Sequence, residues 1–276
     1  MAPISSQSLL LVAVFLVSPT YSNDTNLPRR WQSSEADSTT TFPVRFDARD
    51  QWPTCDTIGK VQDQGCCFAS YTIAPTSVIT DRSCIKSNET TTTSIYSAFH
   101  PLVCCTDCSH STQHPCLGGN PQKVWDYWTT HGVASEGCLP YPMKTLCDGE
   151  LVCSATCRSG LDESVSLELT KGSRSYRVPS GISDIQMEML EYGPVQTTIQ
   201  LYEDFMTYRG GVYQHEWGKL IGEQHVKLIG WGFDSSGDFW TGVNSFGTGW
   251  GENGLFRIIR GYDHLGVESN VIAGLP

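Results

Sequence analysis

All twelve cysteines of this chain lie between Cys55 and Cys157, and the C-terminal stretch beyond them has none. Cysteine at this density is typical of proteins that fold in an oxidising compartment, where disulfides persist. We therefore expect an N-terminal half held by disulfides and a C-terminal half held by packing.

The formal net charge is −11. So acidic a chain is not a non-specific nucleic-acid binder, because phosphate contacts need clustered cations.

The first residues predict secretion. Leu9–Val17 is an apolar run that is too short to span a bilayer and has the length of a signal-peptide core. Small residues at Thr20 and Ser22 suit cleavage, so residues 1–22 are read as a signal peptide. A secreted or extracellular product follows, with a lysosome-like compartment as the alternative.

Beyond the signal peptide, we expect a short flexible lead-in at residues 23–42, a vestigial propeptide, and one folded domain at residues 43–276. The lead-in is polar and low in complexity. Two Asn-x-Thr sequons, at Asn23 and Asn88, predict glycans on a secreted chain.

The apolar spacing predicts an α+β protein. Helices are expected at Tyr71–Arg82, Pro121–His131 and Asp184–Tyr192, with Val124, Trp125 and Trp128 on one helix face. Pro75 should either kink the first helix or delay its start, because proline lacks the backbone donor. Short β-rich runs separated by glycine-rich turns follow after Gly193. They are Val195–Leu201, Val226–Ile229, Phe239–Asn244 and Leu255–Arg260.

Many short motifs, in the right order from about Phe42 to Pro276, resemble the papain family, and within it cathepsin B. They include Phe46-Asp47-Ala48-Arg49-Asp50-Gln51-Trp52-Pro53, Asp63-Gln64-Gly65, Cys104-Cys105, Gly118-Gly119, Gly211-Val212-Tyr213-Gln214-His215, Asn244-Ser245 and Glu268-Ser269. The resemblance implies a papain-like two-lobe fold. A helical, disulfide-rich N-terminal lobe would face a β-rich C-terminal lobe across a cleft.

The resemblance also identifies the catalytic positions, and two of them are changed. Papain-like proteases use a cysteine thiolate, an imidazole from the other lobe and an asparagine that orients the imidazole. Here the nucleophile position holds Ser70 and the histidine position holds Gln224. The orienting asparagine and the oxyanion-hole glutamine are retained as Asn244 and Gln64.

These substitutions predict a loss of catalysis. An alcohol must give its proton to a base, and the neutral amide of Gln224 cannot take it. His225 follows one residue later, but neighbouring side chains of a strand point to opposite faces. The imidazole would reach the cleft only through a β-bulge just before Val226. No catalytic residue is therefore expected to be functional.

The leading interpretation is a secreted, non-catalytic binding or decoy homologue of a cysteine-type peptidase. It resembles the protease-like domain of tubulointerstitial nephritis antigen, which also has serine at the cysteine position. One alternative is a hydrolase that uses Ser70 with the displaced His225. Another is residual cysteine-type endopeptidase activity, as the family implies.

A peptide or protein ligand in the cleft, or a protease inhibitor, is the expected partner. The resemblance places Gly118 and Gly119 on one cleft wall and Phe246 and Glu268 on the other. A monomer is expected, without cofactor, nucleic acid or membrane span. Cys108, His110, His114 and Cys116 mimic a zinc site, but cysteines in an oxidising compartment are expected in disulfides.

The resemblance implies five disulfides: Cys55–Cys84, Cys67–Cys116, Cys104–Cys153, Cys105–Cys108 and Cys138–Cys157. Cys66 and Cys147 are left unassigned. They could pair with each other, or Cys66 could be a displaced nucleophile. The family's occluding loop should lie between Cys138 and Cys157, yet Leu139–Thr156 contains no histidine.

Overall fold

The computed structural model describes residues 41–87, 94–146, 151–157, 164–165 and 169–276. The expected signal peptide, nearly all of the lead-in, both sequons and Cys147 lie outside these residues. Within the described ranges, none of the helices combines the length and apolar character that a bilayer span requires.

Among the described residues, the α-helices of the cysteine-rich half are α1 (Ala48–Gln51), α2 (Ser70–Ser87), α3 (Phe99–Cys104) and α4 (Pro121–Thr130). Helix α4 starts with proline, and the Asn120 side chain caps it by accepting the Gln122 N–H at 2.9 Å. Its predicted apolar face is confirmed, since Val124, Trp125 and Trp128 are fully buried.

Helix α2 runs through the middle of the molecule, and most of its residues are buried. It begins at Ser70, so Pro75 lies inside it and the alternative of a later start is wrong. The Thr76 hydroxyl, next to Pro75, donates to the Thr72 carbonyl at 2.8 Å. Tertiary packing thus overrides the low helix propensity of proline.

The C-terminal half is built around one twisted sheet, with helices α5 (Ile182–Tyr192) and α6 (Glu203–Met206). The strands are β1 (Phe46–Asp47), β2 (Arg174–Arg177), β3 (Val195–Tyr202), β4 (Val212–Tyr213), β5 (Leu220–Asp234), β6 (Gly237–Val243), β7 (Leu255–Ile259) and β8 (Ile272–Leu275). Their order in the sheet is β2-β8-β3-β5-β6-β7-β4, and β1 also pairs with β5. The pairs are antiparallel except β4 with β7.

The five disulfides implied by the resemblance are confirmed: Cys55–Cys84, Cys67–Cys116, Cys104–Cys153, Cys105–Cys108 and Cys138–Cys157. Cys66 is also disulfide-bonded, so it carries no free thiol. The alternative in which Cys66 is a displaced nucleophile is therefore wrong.

Two adjacent side chains of α2 reach into the sheet half as buried ion pairs. Asp81 binds Lys227 of β5 at 2.6 Å, and Arg82 binds Glu188 of α5 at 2.8 Å. All four side chains are at most 2% exposed. Burial raises the pKa of Asp81 and lowers that of Lys227, and each partner's charge opposes its shift. These pairs fix α2 against the sheet and so set the positions of site residues on both sides.

Candidate active site

The site forms where the first turn of α2 meets β5. Ser70 is the first residue of α2 and is 3% exposed. Its Oγ accepts a hydrogen bond of 3.3 Å from the backbone N–H of His225. Gln64 comes from the loop before α2, while Asn244 directly follows β6. The fold therefore brings together the four positions that the sequence singled out.

The Gln224 side chain is the centre of a buried amide network. Its Nε2 lies 2.8 Å from Asn244 Oδ1, 3.1 Å from Ser245 Oγ and 3.2 Å from Gln64 Oε1. The Ser245 hydroxyl donates to the same Gln64 oxygen at 2.7 Å. These contacts hold Gln224 by its donor group, and an amide has no basic nitrogen. The position where the resemblance implies a proton acceptor is thus filled by a hydrogen-bond donor.

The His225 ring lies on the face of β5 opposite to the Gln224 side chain. Pairing with β3 is continuous here, with Ile199 opposite Gln224, Thr198 opposite His225 and Thr197 opposite Val226. The bulge that would turn the imidazole towards Ser70 does not occur in this stretch of the sheet. The predicted register is therefore confirmed.

The Nδ1 atom of His225 has a partner away from Ser70. Nδ1 lies 2.8 Å from Thr198 Oγ1, which also accepts from Gln196 Nε2 at 3.3 Å. Gln196 in turn accepts from the indole N–H of Trp125 at 3.3 Å. Thr198 therefore engages Nδ1 of His225 on the side away from Ser70, whichever of the two groups donates.

His225 is also a weak base. Burial, together with nearby His110, lowers its pKa to about 3, although a hydrogen bond to the Gly119 backbone acts in the opposite sense. An efficient general base has a pKa near the working pH. A neutral imidazole with so low a pKa has little tendency to take the proton of an alcohol.

The glycine pair lies beside this ring. Gly119 is buried, and a Cβ there would lie 2.3 Å from the Cys108 carbonyl oxygen and 2.5 Å from the Tyr71 ring. His110 N–H donates to Gly118 O, and Asn120 N–H donates to Cys108 O. This pairing turns the amide and carbonyl of Gly119 itself towards the other side. Gly119 is thus required by packing.

The two residues expected on the other wall differ in environment. Phe246 is half-buried and packs edge-to-face on Trp250 at 5.5 Å. Glu268 is 4% exposed, and its carboxylate accepts from the Trp240 indole and from two backbone amides, Gly261 and Asp263. The Glu268 carboxylate oxygens are therefore already hydrogen-bonded within the sheet half.

Sequence reasoning missed Thr198, Gln196 and Ser245. Thr198 and Gln196 contact the site only through the pairing of β3 with β5, which the sequence does not specify. Ser245 could have been found from the sequence, because it directly follows Asn244 in the Asn244-Ser245 motif of the resemblance.

The segment after Cys138 also contributes to the site, because the Tyr141 hydroxyl donates to the Gln64 carbonyl at 3.1 Å. The cysteines of the zinc-like spacing, Cys108 and Cys116, are both in disulfides.

Comparison with known proteins agrees with this architecture. The family model described as papain family cysteine protease matches residues 42–275, and the chain belongs to this family. It is 37% identical over 258 residues to "Cathepsin B-like cysteine proteinase 6" of Caenorhabditis elegans, covering 85% of this chain and 67% of that protein. It is 33% identical over 255 residues to "Cathepsin B-like cysteine proteinase" of Schistosoma japonicum, covering 85% and 73%.

Among solved structures, procathepsin B S9 from Trypanosoma congolense is similar, with a TM-score of 0.77 and 34% identity. The match covers 86% of this chain and 79% of that one. The predicted α+β, papain-like fold of the cathepsin B type is thereby confirmed.

Proposed function

We propose that this chain is a secreted, non-catalytic cathepsin B-like protein that binds a peptide or protein segment at the site of the missing catalytic pair. The main support for this proposal is the Gln224 amide, which is held by Asn244, Ser245 and Gln64 where an active relative needs a base. In this respect the chain would resemble tubulointerstitial nephritis antigen.

The chemistry of the site supports this proposal. Ser70 would need to lose its proton before attacking a carbonyl, and its partner is a backbone N–H, which donates instead of accepting. Losing both nucleophile and base typically removes most of a rate enhancement of about 10⁶ or more.

Exposed apolar side chains next to the site support a binding role. Phe68 and Leu117 are each 61% exposed, and the Phe68 amide donates to the Cys116 carbonyl, so the two belong to one surface. On the sheet side, Leu220 and Ile221 are 52% and 49% exposed at the start of β5. Exposed apolar side chains of this size on both halves support an interaction site.

The edge of β5 offers main-chain groups to an extended ligand. The His225 N–H points to Ser70 and away from β3, so that of Glu223, two residues earlier in the continuous pairing, faces the same way. On this side of β5, β6 pairs only from Lys227 onward. An extended segment could add to this edge as a strand.

Activity assays test the loss of catalysis. We expect no turnover of dipeptidyl fluorogenic substrates of the cathepsin type from pH of about 4 to 8. Ser70→Ala is the matched control, and its signal should equal that of the native chain. Turnover that Ser70→Ala abolishes would instead establish the serine-hydrolase alternative.

Restoring the catalytic pair tests the register. Ser70→Cys alone should be labelled slowly by an epoxide probe, because no imidazole faces the thiol. Adding Gln224→His and His225→Ala places a ring N–H near Asn244 Oδ1, and labelling should be at least about tenfold faster. Rapid labelling of Ser70→Cys alone would mean that His225 already activates the site.

A direct binding measurement completes the test. We expect a non-cleavable dipeptidyl amide to bind in a titration calorimeter, and Phe68→Ser to weaken binding about fivefold or more. Val44→Ser is the matched control, since Val44 is 67% exposed beside β1, away from Ser70. Equal affinity of all three proteins, or no binding, would contradict the binding role.

A further inference from the structure

A second cluster of titratable groups lies outside the candidate site, around Asp204 of α6. The Asp204 carboxylate accepts from the Tyr213 hydroxyl at 2.7 Å, from the amides of Glu216 and Trp217 at 2.9 and 3.2 Å, and lies 3.0 Å from His215 Nδ1. It thereby holds the segment 214–219, which connects β4 to β5 and leads directly to Leu220 and Ile221.

The same segment is held a second time by His264. Its Nε2 accepts the His215 backbone N–H at 2.9 Å, so this nitrogen must be unprotonated. A protonated imidazole has donors only and cannot make the contact. The hydrogen bond therefore exists in one protonation state of His264.

The backbone around His264 is unusual. Asp263 and Leu265, on either side, have φ values of 48° and 57°, in the left-handed region that non-glycine residues rarely adopt. Asp263 is fixed there because its carboxylate accepts the backbone N–H groups of Glu268 and Ser269. Strain of this kind persists only where surrounding contacts enforce it, and it often marks a functional feature.

We propose that His264 is a pH-sensitive clip whose protonation releases the His215 amide and loosens the β4 end of the segment 214–221, the sheet-side wall of the proposed binding surface. The charged and titratable groups that face it are Asp204 of α6, His215 of the segment, Tyr213 of β4 and Glu268 near the C-terminus.

The direction of the pH dependence follows from these neighbours. Burial and His215 lower the pKa of His264 from its ordinary value of 6.5, while Asp204 and Glu268 act in the opposite sense. Because the pKa of His264 is lowered in the clipped state, its neutral imidazole stabilises that state at pH values above 6.5. This contribution is lost as the pH falls. Hydrogen bonds from Glu216, Tyr213 and His215 hold the pKa of Asp204 well below its ordinary value despite its burial, so its contacts persist.

Amide hydrogen exchange followed by NMR tests the clip, with rates corrected for the intrinsic effect of pH. Between pH of about 7 and 5, the protection of the His215 amide should fall about tenfold or more, whereas the Glu216 and Trp217 amides on Asp204 should keep theirs. Unchanged protection of His215 in the native chain would overturn the proposal by itself.

Two variants separate titration from packing. His264→Gln supplies a carbonyl acceptor that does not titrate, so His215 should stay protected at both pH values. His264→Phe supplies no acceptor, so His215 should exchange rapidly at both. A His264→Gln chain that keeps the native pH dependence would contradict the assignment to His264. The role of the clip in binding rests on the proposed function, but this exchange measurement needs no ligand, so the two can fail separately.

Discussion

The two halves of the molecule position the same site by different means. On the cysteine-rich side, Gln64, Ser70 and Gly119 all lie within a few residues of the Cys67–Cys116 disulfide, which fixes loops that make few regular hydrogen bonds. On the sheet side, Gln224 and His225 are placed by the pairing of β5 with β3. A cross-link fixes where a loop lies, whereas strand register decides which side chain of β5 faces the candidate site.

Complete reduction of the disulfides should produce the largest effect and should act on one half first. Each bridge of this loop size contributes about 2–4 kcal/mol, and the sheet half contains none. Hydrogen exchange in a reductant series should show loss of protection between Cys67 and Cys157 before loss in β3 and β5. If both halves lose protection at the same reductant concentration, they unfold as one unit, and the predicted difference between the two halves is wrong.

Breaking a buried ion pair between the halves should have the next largest effect. Lys227→Met leaves the Asp81 carboxylate buried without its partner, so the free energy of unfolding should fall by about 3–5 kcal/mol. The double variant, with Asp81→Leu added, should recover most of this loss because no uncompensated charge remains. Urea denaturation measures both. A cost below about 1 kcal/mol for Lys227→Met would show that Asp81 stays solvated or neutral.

Acid should weaken both halves by a smaller amount, through one buried histidine in each. Burial lowers the pKa of His100 to about 4, and burial with His110 lowers that of His225 to about 3. The unfolded chain binds these protons first, so stability is present above the ordinary pKa of 6.5 and is lost as the pH falls below it. The slope should be about 1.4 kcal/mol per pH unit for each histidine.

Urea unfolding at several pH values between 7 and 5 checks this expectation. His100→Asn and His225→Gln should each reduce the slope, whereas His114→Gln, at an exposed position, should leave it unchanged. Equal slopes in all four proteins would mean that neither buried histidine governs the acid response.

The sequence predicted the fold because its signals were local or came from the family. The apolar face of α4 and the cysteine pattern both required no knowledge of long-range contacts. The position of Gln224 in the site also followed, since side-chain alternation along a strand is a geometric rule. The start of α2 before Pro75 was not settled, because packing in the core outweighs a local preference.

The hydrogen-bond partners within the site could not be predicted in the same way. Thr198 is distant from His225 in sequence, and only the register of β3 against β5 brings them together. Glu268 was expected at the cleft, but its environment depends on a turn with two left-handed residues. Such a turn has no sequence signature when neither residue is glycine.

The hydrogen-bonded series from Trp125 through Gln196 and Thr198 to His225 has a mechanical consequence. It begins on α4 of the cysteine-rich half, crosses two strands of the sheet, and returns at Gly119 to the half where it started. Moving the two halves apart would break this series of hydrogen bonds, so the part of the site around His225 is expected to keep its shape. A ligand of the proposed function would therefore have to fit this part of the site as it stands, even where the segment 214–221 loosens.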